Sequence, residues 1–407
     1  MSGLTLRTLD AVDEVPERAW DALCAADPEA TPFQRWAWLE ALERCGCAAP
    51  SRGWSPRHLT AWRGRELVAA APAYARTDSS GEFVFDGAWA GAAQRVGFAY
   101  YPKLVLAVPF TPVPGQRVLV APGEDRAALE SALFEGAEDL CRREGYSSVH
   151  LLFPREASCE RAVECGWARR VGVQFHWQNP GYHSYDDFLA RFPSRKRKTL
   201  RRERDAARAQ GITLSVRRGR DGELTPADRA LLWRLYTSTV DKYVWGQRYL
   251  TEAFFARALE VLAEHLELVE ARREGRVIAG ALNVASPTHL YGRYWGCFEE
   301  HNFLHFNVCY YHAIEACIAR GVRTFEGGAG GEHKLTRGFE PVLTFSAHRL
   351  YHKGLERVVR DYLRREEEGV RAALPGLQEA SGLKPLEAPP GPGGAAVPWA
   401  ASEGALE

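Results

Sequence analysis

The sequence predicts an α/β protein with mixed sheets (α+β in character), built as two similar halves in tandem. A β-hairpin pattern that occurs twice, a helix–glycine–strand pattern that also occurs twice, and a composition able to fill two cores carry that prediction. With 407 residues, 46% hydrophobic and 26% charged, the chain can bury two ordinary domains without disulfides or metal.

The hairpins lie at residues 59–71 (Leu-Thr-Ala-Trp-Arg-Gly-Arg-Glu-Leu-Val-Ala-Ala-Ala) and 270–282 (Glu-Ala-Arg-Arg-Glu-Gly-Arg-Val-Ile-Ala-Gly-Ala-Leu). Each reads strand, Gly-Arg turn, strand, and the turn glycines Gly64 and Gly275 are 211 residues apart. Residues 137–150 and 313–326, 176 apart, form the second echo: an amphipathic helix stopped by Gly145 or Gly321, then a short strand. The offsets differ by 35, so the first half carries an insertion, read as the aromatic stretch at about 79–114. The division is a first domain over 1–175 and a second over 176–370 that opens with a basic helix. A Pro/Gly/Ala-rich tail over 371–407 has too little apolar surface to order itself.

Lys plus Arg and Asp plus Glu both total 52, and a net charge of zero argues against a general DNA or membrane binder. No stretch approaches the roughly 18 apolar residues of a membrane span, so no integral membrane association is expected. The N-terminus lacks a signal-peptide core, and nine cysteines without a Cys-x-x-Cys pair read as reduced thiols. A cytoplasmic location follows. P-loop, Rossmann, nucleophile-elbow and zinc patterns are missing, so neither a metal nor a tightly bound cofactor is expected. Gln94-Arg-Val-Gly-Phe-Ala99 fits a coenzyme A pyrophosphate loop, but Tyr100-Tyr-Pro102 stands where the anion-binding helix should begin.

The best candidate site is Glu326-Gly-Gly-Ala-Gly-Gly-Glu-His-Lys334, a glycine-rich loop after a strand. Four glycines beside Glu332, His333, Lys334 and Arg337 make an entropically costly connection if they only join strands. Adjacent Glu332 and His333 would face opposite ways in a strand, so only an irregular loop brings both to one substrate. His289-Leu-Tyr-Gly-Arg-Tyr-Trp-Gly296 reads as a strand with Tyr291, Arg293 and Trp295 on one face and Gly292, Tyr294 and Gly296 on the other, leaving room for a bound chain or for a packed helix. Leu304 to Cys317 reads as a helix with His305, Cys309 and His312 on one face, better suited to packing than to metal.

In the insertion, Ser79 to Asp86 alternates Glu82, Val84 and Asp86 against Phe83 and Phe85, as a strand presenting carboxylates to an amine would, or as a half-exposed edge strand would. Tyr100-Tyr-Pro-Lys103 adds Tyr101 and Lys103. Arg195, Lys196, Arg197, Lys198, Arg201 and Arg202 lie on the predicted basic helix and suit phosphates, or serve as a solvated face partly neutralised by Glu203 and Asp205.

Gly81-Glu-Phe-Val-Phe-Asp86, Tyr100-Tyr-Pro-Lys103, Gln174-Phe-His-Trp177, Arg195-Lys-Arg-Lys198, Tyr291-Gly-Arg-Tyr-Trp-Gly296 and Gly331-Glu-His-Lys334 together resemble a family of bacterial N-acyltransferases related to the Fem peptidoglycan-branching enzymes and the GNAT fold. The resemblance runs from about Pro32 to Tyr362 and implies two GNAT-like domains in tandem. Fem-type proteins pass an aminoacyl group from charged tRNA to an amine on a cell-wall precursor. The resemblance therefore implies phosphate binding by the basic run, and a cleft lined by the Glu332-His333-Lys334 loop. Family members commonly carry Leu-His-Phe-Glu where this chain has Leu304-His-Phe-Asn307, and Gly-Ala-Gln-Gly where it has Gly328-Ala-Gly-Gly331.

The expected activity is N-acyl transfer from aminoacyl-tRNA or acyl-CoA, as co-substrate, to a primary amine on a small molecule or peptide, with tRNA as a partner. Glu332 or His333 would remove the proton, while loop N–H groups or Lys334 would stabilise the oxyanion. Glu82, Asp86, Tyr101, Lys103, Arg293, Tyr294, Trp295, His305 and Arg337 would bind substrate, with Glu82, Arg293, Glu332 and His333 converging on one cleft. Two alternatives remain open: a non-catalytic protein that recognises a peptide or cell-wall precursor, and an RNA-binding protein using the basic helix.

Overall fold

The computed structural model describes residues 3–27, 30–242 and 246–385. Both hairpins form as read: His58–Arg63 pairs with Glu66–Ala71, and Leu266–Arg273 with Arg276–Ala285, with Gly64 and Gly275 at positive φ in the turns. The helices Arg126–Glu144 and His312–Arg320 end at Gly145 and Gly321, both left-handed, a conformation that costs a glycine nothing sterically. Each is followed by a short strand that pairs in parallel with an earlier one. Ser148–Leu152 lies beside Lys103–Leu106, and Thr324–Glu326 beside His289–Cys297.

Leu4–Leu9, the first hairpin and Leu119–Val120 form a four-stranded sheet. All other strands among the described residues join one sheet of eleven. From one edge it runs Ile212–Arg218, the second hairpin, His289–Cys297, Thr324–Glu326, Ala168–Gln178, Glu340–Leu350, Ser148–Leu152, Lys103–Leu106, Ala73–Arg76 and Trp54–Pro56. The expected boundary at 175 therefore falls inside a strand. Ala168–Gln178 pairs with both Thr324–Glu326 and Glu340–Leu350, and Glu340–Leu350 also pairs with Ser148–Leu152. Each half thus lends its last strand to the other. Where Glu340–Leu350 meets Ser148–Leu152, the buried rings of His150 and His348 share a 2.7 Å Nδ1···Nδ1 hydrogen bond across the junction. One apolar cluster holds Trp20, Trp38 and Phe110 with Phe254 and Tyr291, so the halves also share a core.

Three local expectations fail. Residues 79–86 form turns and loop rather than a strand, because Glu82 and Asp86 turn inward to buried cations. The face shared by His305, Cys309 and His312 is broken by a π-helical stretch, Asn307–Tyr311, inside the helix. The helix Lys353–Ser381, which contains Pro375, runs on past 371, where the tail was expected to begin. The part of that tail over 386–407 lies outside the described residues. Among the described residues no helix is long and apolar enough to cross a membrane.

Candidate active site

The site opens where two parallel strands part. His289–Cys297 and Thr324–Glu326 pair only from His289 to Tyr291 and from Thr324 to Glu326, after which the chain turns away through Gly327. At the same point His289–Cys297 bulges: Asn283 faces Gly292 and Leu282 faces Tyr294, leaving Arg293 as the extra residue. A bulge re-aims a side chain out of the alternation, so the expected two-faced pattern of Tyr291 to Gly296 does not hold. At Gly296 the packed-helix alternative is the one that forms, since a Cβ there would stand 2.2 Å from the Leu235 carbonyl oxygen of helix Arg229–Val240.

The gap holds a cavity of about 290 Å³. Phe83, Phe110, Tyr249 and Tyr294 line it from the apolar cluster on one side of the sheet, and Trp295, Cys309, Tyr310 and Phe325 from the clusters on the other. The cavity therefore passes through the sheet. Phe110 keeps a positive φ of 58°, held there by stacking on Tyr249 at 5.1 Å and by Arg293 Nη2, which donates to its carbonyl at 2.5 Å.

Gly327, Gly328 and Ala329 form another wall. Gly328, Gly330 and Gly331 have φ of 83°, 69° and 89°, which only glycine adopts cheaply. The buried Lys334 ammonium donates to the carbonyls of Gly328 and Gly330, both at 2.6 Å. Burial pulls it down to about 8, still protonated at neutral pH. Peptide planarity points the N–H groups of Ala329 and Gly331 away from those carbonyls, and they donate to no protein acceptor among the described residues. Ala329 lines the cavity and Gly331 follows two residues on, so the loop offers one unused donor at the wall and another next along the chain, with a cation behind them.

His333 Nε2 is 3.0 Å from the hydroxyl of Tyr310, a residue of the cavity wall. Partial burial lowers the imidazole's pKa, with Lys334 and Arg337 adding to the effect. His305 lines the cavity, packs edge-on to Trp295 at 5.1 Å, and is pushed down to about 4, chiefly by burial. Glu332 is exposed and does not line the cavity, although it adjoins His333 in the irregular loop that was expected. Glu326, the residue before the loop, is buried and pushed up to about 8 by burial, against the pull of Arg293 and Arg117.

Arg337, expected on substrate, is buried in a structural hub. Its guanidinium lies 3.4 Å over the Phe306 ring and donates to Glu203 at 2.8 Å, to the Tyr311 hydroxyl at 3.1 Å and to the His333 carbonyl at 2.9 Å. Asn307 belongs to the same hub, donating to the carbonyls of Glu203 and Phe303, and does not line the cavity. Gly330 has open space where a Cβ would stand.

Glu82, Asp86, Tyr101 and Lys103 also fall outside the cavity lining. Lys103 Nζ contacts Glu82 and Ser79, each at 2.8 Å, and Asp86. Arg76 pairs with Glu82 and Asp78, Tyr100 donates to Asp86, and the Tyr101 hydroxyl meets Ser79. Burial opposes the Lys103 charge, but Glu82 and Asp86 outweigh it and raise the ammonium's pKa. This compensated cluster anchors the loop that presents Phe83, while the absence of a side chain at Gly81 lets Phe110 approach.

The basic helix spans Ser194–Ala209. Its Leu200 and Glu203 pack inward, toward the 304–311 segment that supplies His305 and Tyr310 to the cavity. Arg195, Lys198, Arg201 and Arg202 are exposed, and Arg201 pairs with Asp186. Arg197 donates to the Phe192 carbonyl and to Ser194, and Lys196 is half-buried.

Of the four residues expected to converge, the structure brings only Arg293 to the cavity wall; Glu82 and Glu332 stand aside, and His333, itself exposed, connects to the wall through its hydrogen bond with Tyr310. Asn283, Tyr249 and Tyr310 escaped the sequence reading. Tyr310 stands five residues after His305, off the i+3 and i+4 spacings of an α-helix, and the π-helical stretch Asn307–Tyr311 begins between the two residues, whose rings meet at 5.4 Å, a contact that α-helical periodicity does not foretell.

Among solved structures, FemX has a TM-score of 0.53 at 12% identity, with 85% of this chain and 98% of FemX covered. The C-terminal domain of a protein described as a lysylphosphatidylglycerol synthetase, from Agrobacterium fabrum, scores 0.51 at 10% identity, with 87% and 97% covered. A tandem GNAT protein from the clavulanic acid biosynthesis pathway scores 0.47 at 14%, with 85% and 98% covered. At these identities the likeness to FemX speaks for a Fem-type fold alone. No curated protein sequence matches the chain. The FemAB-like family model, described as peptidoglycan biosynthesis/recognition, matches residues 11–385, and the chain belongs to that family.

Proposed function

We propose that the protein is a cytoplasmic N-acyltransferase that moves an acyl or aminoacyl group from aminoacyl-tRNA or acyl-CoA to a primary amine. The observation that carries this reading is the cavity through the sheet: a donor carbonyl from one side and an amine from the other meet beside unused backbone donors. The amine nitrogen attacks the carbonyl carbon, the carbonyl π electrons move onto oxygen, and the N–H groups of Ala329 and Gly331, backed by Lys334, receive the oxyanion. Tyr310 relays the amine proton to neutral His333, so the proton acceptor is His333 rather than Glu332. Collapse re-forms the carbonyl and breaks the C–O or C–S bond, and the leaving group takes that proton from protonated His333 through Tyr310, which restores the neutral imidazole. The exposed Arg195, Lys198 and Arg202 face donor phosphates.

Asn307, where family members commonly carry Glu, donates to two backbone carbonyls away from the cavity, so this departure leaves the cavity wall unchanged and favours the catalytic reading over a non-catalytic peptide binder. A mass-spectrometric screen with aminoacyl-tRNA and acyl-CoA pools tests the reading. His333→Ala and Tyr310→Phe should each lower turnover by roughly 10²-fold or more, with Glu332→Ala near wild type. Unchanged turnover in both of the first two variants would remove the assigned relay.

A further inference from the structure

We propose that the cavity selects a substrate bearing a carboxylate, clamped by Arg293 and Asn283. The inference deepens the acyltransferase reading, resting on it for the use made of the bound molecule but not for the binding itself.

Arg293 is the bulged residue, turned out of the strand ladder into the cavity wall. Its Nη2 donates to the Phe110 carbonyl and the guanidinium packs near the Phe33 and Tyr294 rings, within reach of the Tyr294 hydroxyl, but its Nε is buried with no acceptor and it forms no ion pair among the described residues. A guanidinium held in this way is an incomplete site, since buried donors and charges are costly until matched. Asn283 supplies the independent second observation. It is 4% exposed, lines the same cavity, and its carboxamide has no hydrogen-bond partner among the described residues. Across the strand pair stands Gly292, which has no side chain to cover that amide.

The charges around the cavity point the same way. Arg293 and Lys334 adjoin it, and Arg117 is buried near Glu326. Glu326, the acidic group that Arg293 acts on, is held protonated by burial at neutral pH and supplies no counter-charge. The missing negative charge is the ligand's. A planar guanidinium fork beside an amide N–H donor matches the two oxygens of a carboxylate. The aromatic walls, Phe83, Phe110, Tyr249 and Phe325, suit the rest of a small acid better than a phosphate dianion, which would need further cations. At about 290 Å³ the cavity takes an amino-acid-sized group.

Calorimetric titration of the full chain with alanine and N-acetylalanine, with the primary amide of each, and with inorganic phosphate tests the clamp. One or both acids should bind, at least about 10-fold tighter than the matching amide. Arg293→Gln and Asn283→Asp should each abolish that preference while far-ultraviolet circular dichroism stays that of the wild type. Asn283→Asp keeps the test decisive if Arg293→Gln fails to fold, because it places a repelling carboxylate in a side chain of the same size. Equal affinity for acid and amide, no binding of either, stronger binding of phosphate, or a preference that survives both substitutions would overturn the proposal. Binding needs no donor, so absence of acyl transfer would sink the transferase reading and leave the clamp standing. Transfer onto acid and amide acceptors at equal rates would do the reverse.

Discussion

Replacing Glu326 by Gln should stabilise the protein by an amount that grows with pH. The carboxyl is 7% exposed and has no hydrogen-bond partner among the described residues. Its nearest ionisable neighbour, His176 Nε2 at 3.8 Å, is pushed down to about 3 by burial and by Lys334 and His289, and carries no charge to offset it. Burial pushes the Glu326 carboxyl from 4.5 up to about 8 despite Arg293 and Arg117. At roughly 1.4 kcal/mol per pKa unit, that gap corresponds to on the order of 5 kcal/mol. The folded pKa is the higher one, so the native state keeps its full stability below about 4.5 and loses it as pH rises to about 8. Gln preserves the shape and cannot ionise. Glu326→Gln should therefore match the wild type within about 1 kcal/mol near pH 5 and exceed it by roughly 3–5 kcal/mol near pH 9. Urea denaturation followed by tryptophan fluorescence at both pH values measures the difference. A difference that does not change with pH would refute the picture of a buried carboxyl lacking a partner.

Gly296→Ala should cost about 1–3 kcal/mol or more, because its Cβ would stand 2.2 Å from the Leu235 carbonyl oxygen; thermal unfolding measures the loss. Lys103→Met should cost about 3–5 kcal/mol in the same assay, since it leaves Glu82 and Asp86 buried with Arg76 as their main remaining cation. If His333 is the proton acceptor, the acid limb of the pH–rate profile should lie below the ordinary histidine value and vanish in His333→Ala, as steady-state rates across pH will show. Arg195→Glu, Lys198→Glu and Arg202→Glu together should weaken tRNA binding and flatten its salt dependence, read from filter binding at several salt concentrations.

Local signals were legible. The turns at Gly64 and Gly275 and the helix ends at Gly145 and Gly321 are each set by one residue's access to positive φ, and all four formed as expected. Signals that depend on distant partners were not. The alternation at Glu82, Val84 and Asp86 mimics a strand, but Arg76 and Lys103 bury both carboxylates, and cation placement cannot be read from period alone. The Arg293 bulge is invisible for the same reason, since the extra residue is defined only by the register of Asn283 and Leu282 on the neighbouring strand. In and after the glycine-rich loop the side chains make contacts that the residue types alone do not foretell: Lys334 braces carbonyls, Arg337 ties helices, and His333 meets the hydroxyl of Tyr310.

The exchange of terminal strands between the halves bears on how the chain acquires its shape during synthesis. Ser148–Leu152 finds its neighbour Glu340–Leu350 only after nearly two hundred further residues have been made, and Ala168–Gln178 waits for its flanking strands Thr324–Glu326 and Glu340–Leu350, both of which also come from the second half. An emerging amino-terminal half therefore has an open sheet edge and cannot reach its final state alone. The two halves should mature together, late, in a single cooperative step, and the cavity between Thr324–Glu326 and His289–Cys297 comes into being only with that step.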